Sequence, residues 1–424
     1  MLHKAKSIIN SEKYKKMLHN FSYLSLIQIF NKLLPILVVP YIVRTVGVEK
    51  FGVISFAWAI VSYFILITQY SFRITAVEYV SKQRKDKEKL SQYLWNIIAI
   101  KIIISFVLFI FFMIAVYSVN KMHQEMTVML FTYLLVFADV LMPIFFFQGM
   151  EEMKYIAIFN IVAKLMYVVG IYLVVDREAD YIYIPMLNGV TLLCVSIYAL
   201  YYLHKKYNLH VLFPKYHEMI TILHEGKDIF LSNMSVSFYT TINPIILGMM
   251  LGYKEVGIYS LAESMFGAAT AIIKNFTMVS HPYLARFSSD LKLLAKNAKK
   301  FLSIYMVFLL FSSLMLFILS DFIITLLFGK GHEESIVILR ILALAMMFEP
   351  LGGFFTFYLS LKSQRQKIRQ ITFKTMVVNL ILIVPMIYIF GVKGVAYLFL
   401  VLALVMVYLN ARENQEILFF YKDQ

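Results

Sequence analysis

The stretch GVEKFGVISFA, from Gly47 to Ala57, returns 205 residues later as GYKEVGIYSLA, from Gly252 to Ala262. Gly47/Gly252, Gly52/Gly257, Ser55/Ser260 and Ala57/Ala262 are identical, and Phe51/Val256, Val53/Ile258 and Phe56/Leu261 are alike in kind. Each copy joins two long apolar runs, and six such runs separate the copies. An even number gives both copies the same orientation across a bilayer. The chain therefore reads as two halves of six helices related by an axis along the membrane normal.

Working outward from the repeat, apolar runs fall at about 21–44, 52–80, 94–117, 127–148, 155–175, 181–203, 229–251, 256–284, 299–320, 336–361, 371–390 and 395–411. A helix needs about 20 apolar residues to cross a hydrocarbon core of roughly 30 Å. The 424 residues are 61% hydrophobic and 15% charged, whereas a soluble domain is about half apolar and a quarter charged. The fold class expected is an all-α polytopic membrane protein with about twelve transmembrane helices around a central cavity. It divides into an N-terminal bundle at 1–203, a cytoplasmic linker at 204–228 and a C-terminal bundle at 229–424. Within the linker, Tyr216 to Glu225 reads as a short amphipathic helix lying at the membrane interface.

The net charge of +15 is concentrated in alternate loops. Lys13, Lys15 and Lys16, then Arg84, Lys85 and Lys87, then Lys205, Lys206 and Lys215, then Lys292, Lys296 and Lys300 all belong to one side. The positive-inside rule puts that side, and both termini, in the cytoplasm. This distribution also removes the case for nucleic acid as a partner. The first 20 residues are polar and basic, so no cleavable signal peptide is expected. The single cysteine, Cys194, excludes an intramolecular disulfide and a multi-cysteine metal site. His204, His210, His217 and His224 lack the ligand spacing of a metal motif, so no metal is expected.

Ionisable side chains deep within a span are costly and mark function by default. Lys32, Arg73, Asp139, Lys164, Glu263, Lys274 and Glu349 all lie within predicted spans, with Pro143 and Pro350 close to Asp139 and Glu349. Broken backbone at membrane depth is tolerated only against protein or water, so these helices should line a common polar cavity. Cations outnumber carboxylates there. Lys32, Arg73, Lys164 and Lys274 are the candidate groups for an anionic phosphate headgroup, bound by charge and hydrogen bonding, and the family resemblance given below makes that headgroup a pyrophosphate. Asp139, Glu349 and Glu263 are candidates for binding a coupling H⁺ or Na⁺, and Asn31, Tyr239 and Asn243 are candidate hydrogen-bonding groups, for sugar on the family resemblance given below. Asp139 has a structural alternative, an ion pair with Lys164. Lys101 and Lys374 are expected to snorkel to the cytoplasmic headgroups, and Arg340 to snorkel outward or to serve the cavity.

Three stretches carry a family likeness. They are the Gly-x-x-x-Phe-Gly-x-x-Ser run from Gly47, the run Phe146-Phe147-Gln148-Gly149-Met150-Glu151 closing the fourth span, and Leu327-Phe328-Gly329-Lys330-Gly331 ahead of Ile336 to Leu342. In these and in its layout the chain resembles the polysaccharide transporter, or O-antigen flippase (Wzx-like), family of the multidrug/oligosaccharidyl-lipid/polysaccharide exporter superfamily. The resemblance implies two six-helix bundles around a cationic cavity, as in multidrug exporters of the superfamily. It also implies flipping of an undecaprenyl-pyrophosphate-linked oligosaccharide across the bacterial inner membrane by alternating access. In the related lipid II flippases basic residues of the first, second and eighth helices matter, and Lys32, Arg73 and Lys274 lie on those helices here.

On this reading the chain is a transporter rather than an enzyme. It needs no cofactor beyond a coupling ion and serves O-antigen lipopolysaccharide, capsule or exopolysaccharide synthesis. Its expected partners are the lipid-linked glycan, membrane lipids, a polysaccharide polymerase and a chain-length regulator, and it is expected to be monomeric. A cation-coupled exporter of drugs or small solutes is the alternative within the same fold. A membrane polysaccharide polymerase or ligase fits less well, because the outer loops are too short to carry its chemistry.

Overall fold

The computed structural model describes the backbone of residues 12–415, with the side chains of all of these except 12–22, 24–33, 232–233, 235–240, 274–280 and 282. The helices are α1 (Glu12–Gln69), α2 (Thr75–Lys82), α3 (Lys87–Ser118), α4 (Asn120–Gln124), α5 (Met126–Leu141), α6 (Ile144–Gly149), α7 (Met153–Val174) and α8 (Tyr183–Tyr207). They continue with α9 (Tyr216–Thr240), α10 (Ile242–Met250), α11 (Tyr253–Ala285), α12 (Leu291–Phe328), α13 (Glu333–Ala345), α14 (Glu349–Leu361), α15 (Arg365–Phe390) and α16 (Lys393–Glu413). Among the described residues there is no strand, and ten segments are long and apolar enough to cross a membrane. The chain is a multi-pass, all-α membrane protein.

Several predicted boundaries move, each for a local reason. The first two predicted spans, both within α1, are two helices that meet at Gly47, whose φ 79° and ψ 165° are not helical, so this boundary stands where the sequence places it. A residue with a Cβ rarely adopts positive φ, and glycine does so at no steric cost. The overlong second span ends at Gln69 and resumes at Thr75 after a turn in which Tyr70 has φ 48°. Tyr216 to Glu225 is not a separate interfacial helix. It is the first part of the 25-residue α9 and leads directly into the seventh predicted span. That span is itself interrupted at Thr241, between α9 and α10. The fourth span breaks at Met142–Pro143, between α5 and α6, and the tenth breaks ahead of Glu349–Pro350, between α13 and α14. Proline cannot donate to the helical ladder, so both breaks follow from sequence.

The chain divides into two compact units, one of Ala57–Met234 with the chain up to Leu34, the other of Pro35–Phe56 with the chain from Ser235 onward. In the first, α5 packs along α8, α8 on α7, α3 on α5 and α2 on α6. An aromatic column runs through it: Phe64 and Phe112 have ring centroids 5.6 Å apart, and Tyr133 stacks on Phe112 at 4.9 Å. The Tyr133 hydroxyl donates to the Ser105 carbonyl at 2.7 Å, which satisfies its polar end. Asp86 caps α3, and the hydrogen bond from the Lys89 backbone N–H holds its carboxyl below its usual range. The stretch after α8 is strapped to α3. Trp95 donates to the His210 carbonyl at 3.0 Å, and Asn96 donates to Glu218 at 2.7 Å while accepting from the Lys215 backbone at 2.9 Å. Along α3, Ile103, Phe106, Ile110 and Ile114 are exposed; a stripe of this size requires lipid as its solvent.

In the second unit α13 packs on α11, α12 and α16, and α15 lies along α16. Pro35–Phe56 belongs here: Phe56 meets the Tyr253 ring edge-on at 5.4 Å, and Arg44 donates to the Leu326 carbonyl at 2.7 Å near the end of α12. A cation there complements the negative end of the helix dipole.

Candidate functional site

Pro143 determines what happens around Asp139. In an uninterrupted helix the N–H of residue 143 would bond to the Asp139 carbonyl, and proline has none. The Met142 N–H reaches that carbonyl only at 3.3 Å, and Lys101, reaching across from α3, supplies the shorter bond: its ammonium donates to the Asp139 carbonyl at 2.5 Å and stands 3.3 Å from Asp139 Oδ2. The other carboxylate oxygen, Oδ1, accepts from Gln69 Nε2 at 2.8 Å. Only 6% of the Lys101 side chain and 15% of that of Asp139 is exposed. Lys101 therefore does not snorkel to the headgroups as expected; it is a buried counter-ion. Asp139 takes Lys101 as its partner in place of the expected Lys164.

Gln69 is the last residue of α1, so this network ties together the breaks in the second and fourth spans. Beyond the breaks, α2 packs on α6. On its other side the turn is braced by α9, where the Tyr70 hydroxyl donates to the Leu223 carbonyl at 2.9 Å and the Tyr70 ring stacks on Phe230 at 4.5 Å. Arg73 lies in this turn with its side chain exposed.

The other candidates are more scattered. Lys164 is half-buried in α7, Glu263 half-buried in α11, and Glu349 half-buried as the first residue of α14; all three engage neighbouring groups. A carboxylate in a first helical turn is favoured by the helix dipole. Asn243, the second residue of α10, is 3% exposed. The side chains of Asn31, Lys32, Tyr239 and Lys274 lie outside the described residues. Arg340 packs its guanidinium 5.8 Å from the Phe317 ring.

The run from Phe146 to Glu151 proves to be a packing device. Phe146 and Phe147 are fully buried, and Arg84 donates to the Gly149 carbonyl at 2.9 Å and to Glu151 at 2.6 Å. Just beyond, Glu152 accepts from Lys206 and, at 2.5 Å, from the Tyr207 hydroxyl. Sequence reading missed Lys101 as a site residue. The signal that pointed to it was a proline four residues after an intramembrane aspartate, which leaves a carbonyl in need of a donor.

Residues 17–288 match the model of a family described as polysaccharide biosynthesis protein. The chain belongs to that family. A protein of Escherichia coli (strain K12) named "Putative O-antigen transporter" is 26% identical over 328 residues, 76% of this chain and 78% of that one. The fold is shared more widely. The lipid II flippase MurJ in an inward closed conformation superposes with a TM-score of 0.73 at 12% identity, over 94% of this chain and 87% of that one. An inward-facing multidrug resistance MATE transporter of the MOP superfamily gives 0.65 at 15% identity, over 92% and 95%. This chain thus shares its helical fold with both transporters.

Proposed function

We propose that this chain is a flippase that carries an undecaprenyl-pyrophosphate-linked oligosaccharide across the bacterial inner membrane by alternating access, for O-antigen, capsule or exopolysaccharide synthesis. The likeness over most of the chain to a protein named for O-antigen transport carries the reading. The fold shared with a lipid flippase supports it. Both termini face the cytoplasm, as the basic loops require. Lys32, Arg73, Lys164 and Lys274 bind the pyrophosphate, Asn31, Tyr239 and Asn243 contact the sugar, and one or more of Asp139, Glu263 and Glu349 respond to a coupling H⁺ or Na⁺. A polymerase and a chain-length regulator act on the product, and the chain itself works as a monomer.

Deletion of the gene in its own host should abolish surface polysaccharide and leave lipid-linked repeat units on the cytoplasmic leaflet. Complementation with the wild-type chain should restore export, whereas Arg73→Ala at the same protein level should not. Normal surface polysaccharide in the deletion strain overturns the reading. The likeness to a multidrug transporter supports a second one, cation-coupled export of small solutes. That reading gains if the deletion strain keeps its polysaccharide but becomes sensitive to such solutes.

A further inference from the structure

Among the described residues Lys101 is the one lysine or arginine that is buried, and the proposed function gives it no task. It lies seven residues into the predicted span 94–117, about 10 Å along the helix from the start of that span. A charge at such depth is retained where it meets a specific need, and here that need is visible. Its ammonium holds the carbonyl left open by Pro143 and the carboxylate of the same aspartate, whose other oxygen holds Gln69. Gln69 ends α1, the chain turns at Tyr70, and Arg73 follows in the same turn. The two helix breaks are thereby joined ahead by Gln69 and Asp139 and behind by the packing of α2 on α6.

We propose that Lys101 is a positioning residue for anion binding: acting through Asp139 and Gln69, it sets the turn that presents Arg73. The proposal rests on the reading of Arg73 as a pyrophosphate-binding group. Removing the ammonium leaves the Asp139 carbonyl without this donor and its carboxylate without its counter-charge. The aspartate then reorients, and Gln69 and the turn lose their anchor.

The full-length protein in lipid nanodiscs can be titrated calorimetrically with inorganic pyrophosphate. Lys101→Met should weaken binding on the order of tenfold, and Lys101→Arg should recover most of it. Gln69→Leu leaves the ion pair intact, so it keeps the test open if Lys101→Met fails to fold, and it should weaken binding in the same direction. Adding Lys101→Met to Arg73→Ala should cost nothing further, because both act on one contact. Independently of any ligand, the thiol of Arg73→Cys in a Cys194→Ala background should change its maleimide reactivity several-fold when Gln69→Leu or Lys101→Met is added. Folded Lys101→Met and Gln69→Leu proteins with wild-type pyrophosphate affinity and unchanged reactivity at position 73 would overturn the proposal. A wild-type protein that does not bind pyrophosphate overturns the reading of Arg73 itself, while the thiol reactivity still decides whether Lys101 sets the turn.

Discussion

Gly52 and Gly257 make the same contact, each against the other's copy of the repeat. A Cβ built on Gly52 would fall 1.8 Å from the Tyr253 carbonyl oxygen, and one built on Gly257 would fall 2.1 Å from the Val48 carbonyl oxygen. Val48 and Tyr253 are themselves equivalent positions of the repeat. Residue i meeting j while j meets i is the mark of a two-fold contact, so the repeat read from sequence closes on itself within the second unit. The kinks that precede it are equivalent too: Gly47 has φ 79° and Gly252 φ 136°.

Gly52→Ala and Gly257→Ala should each lower the melting temperature of the purified protein, with a cost of about 1–3 kcal/mol for forcing backbone apart in a packed crossing. Gly267→Ala is the control. Nothing lies within 4 Å of its Cβ position, and alanine in a helix is favoured over glycine by about 1 kcal/mol. Equal melting temperatures for Gly52→Ala and wild type would contradict the close approach.

The Lys101–Asp139 pair should respond to neutralisation asymmetrically. Lys101→Met or Asp139→Asn alone strands a buried charge, which costs about 3–5 kcal/mol. The double variant removes both charges and should regain much of that loss. Thermal unfolding in detergent gives the comparison, and a double variant as unstable as the worse single one would show that the charges do not compensate each other.

Asn96 is fully buried and holds both Glu218 and the Lys215 backbone. Asn96→Leu removes these bonds and leaves their partners unsatisfied, at about 1–3 kcal/mol. The variant should be cleaved by trypsin at Lys205, Lys206 or Lys215 faster than wild type. Unchanged cleavage would mean that the strap does not depend on this side chain.

Orientation can be read from single cysteines in a Cys194→Ala background, since Cys194 is itself exposed. Cysteines replacing Glu178 and Lys330 should react with an impermeant maleimide in whole cells, and those replacing Lys85, Lys215 and Lys296 should not. All five positions are exposed. Asp180, in the same outer loop as Glu178, is unsuitable because its buried carboxylate accepts from the backbone of Asp176 and Arg177. The opposite labelling pattern would reverse the topology.

By itself the sequence determined the membrane class, the order of the apolar segments, the repeat and the helix breaks at Gly47, Pro143 and Pro350. Each depends on local chemistry: hydropathy over a window, a proline without an N–H, a glycine able to take positive φ. Partner choice was decided by tertiary structure. Nothing near Asp139 in sequence distinguishes Lys101 from Lys164 as its counter-ion, and snorkelling was as reasonable for Lys101 as for Lys374. Only the packing of α3 against α5 brings the ammonium to a carbonyl 38 residues away in sequence. The reciprocity of Gly52 and Gly257 was likewise beyond the sequence. A repeat shows that two segments share a conformation, whereas contact between them depends on how long-range packing closes the chain.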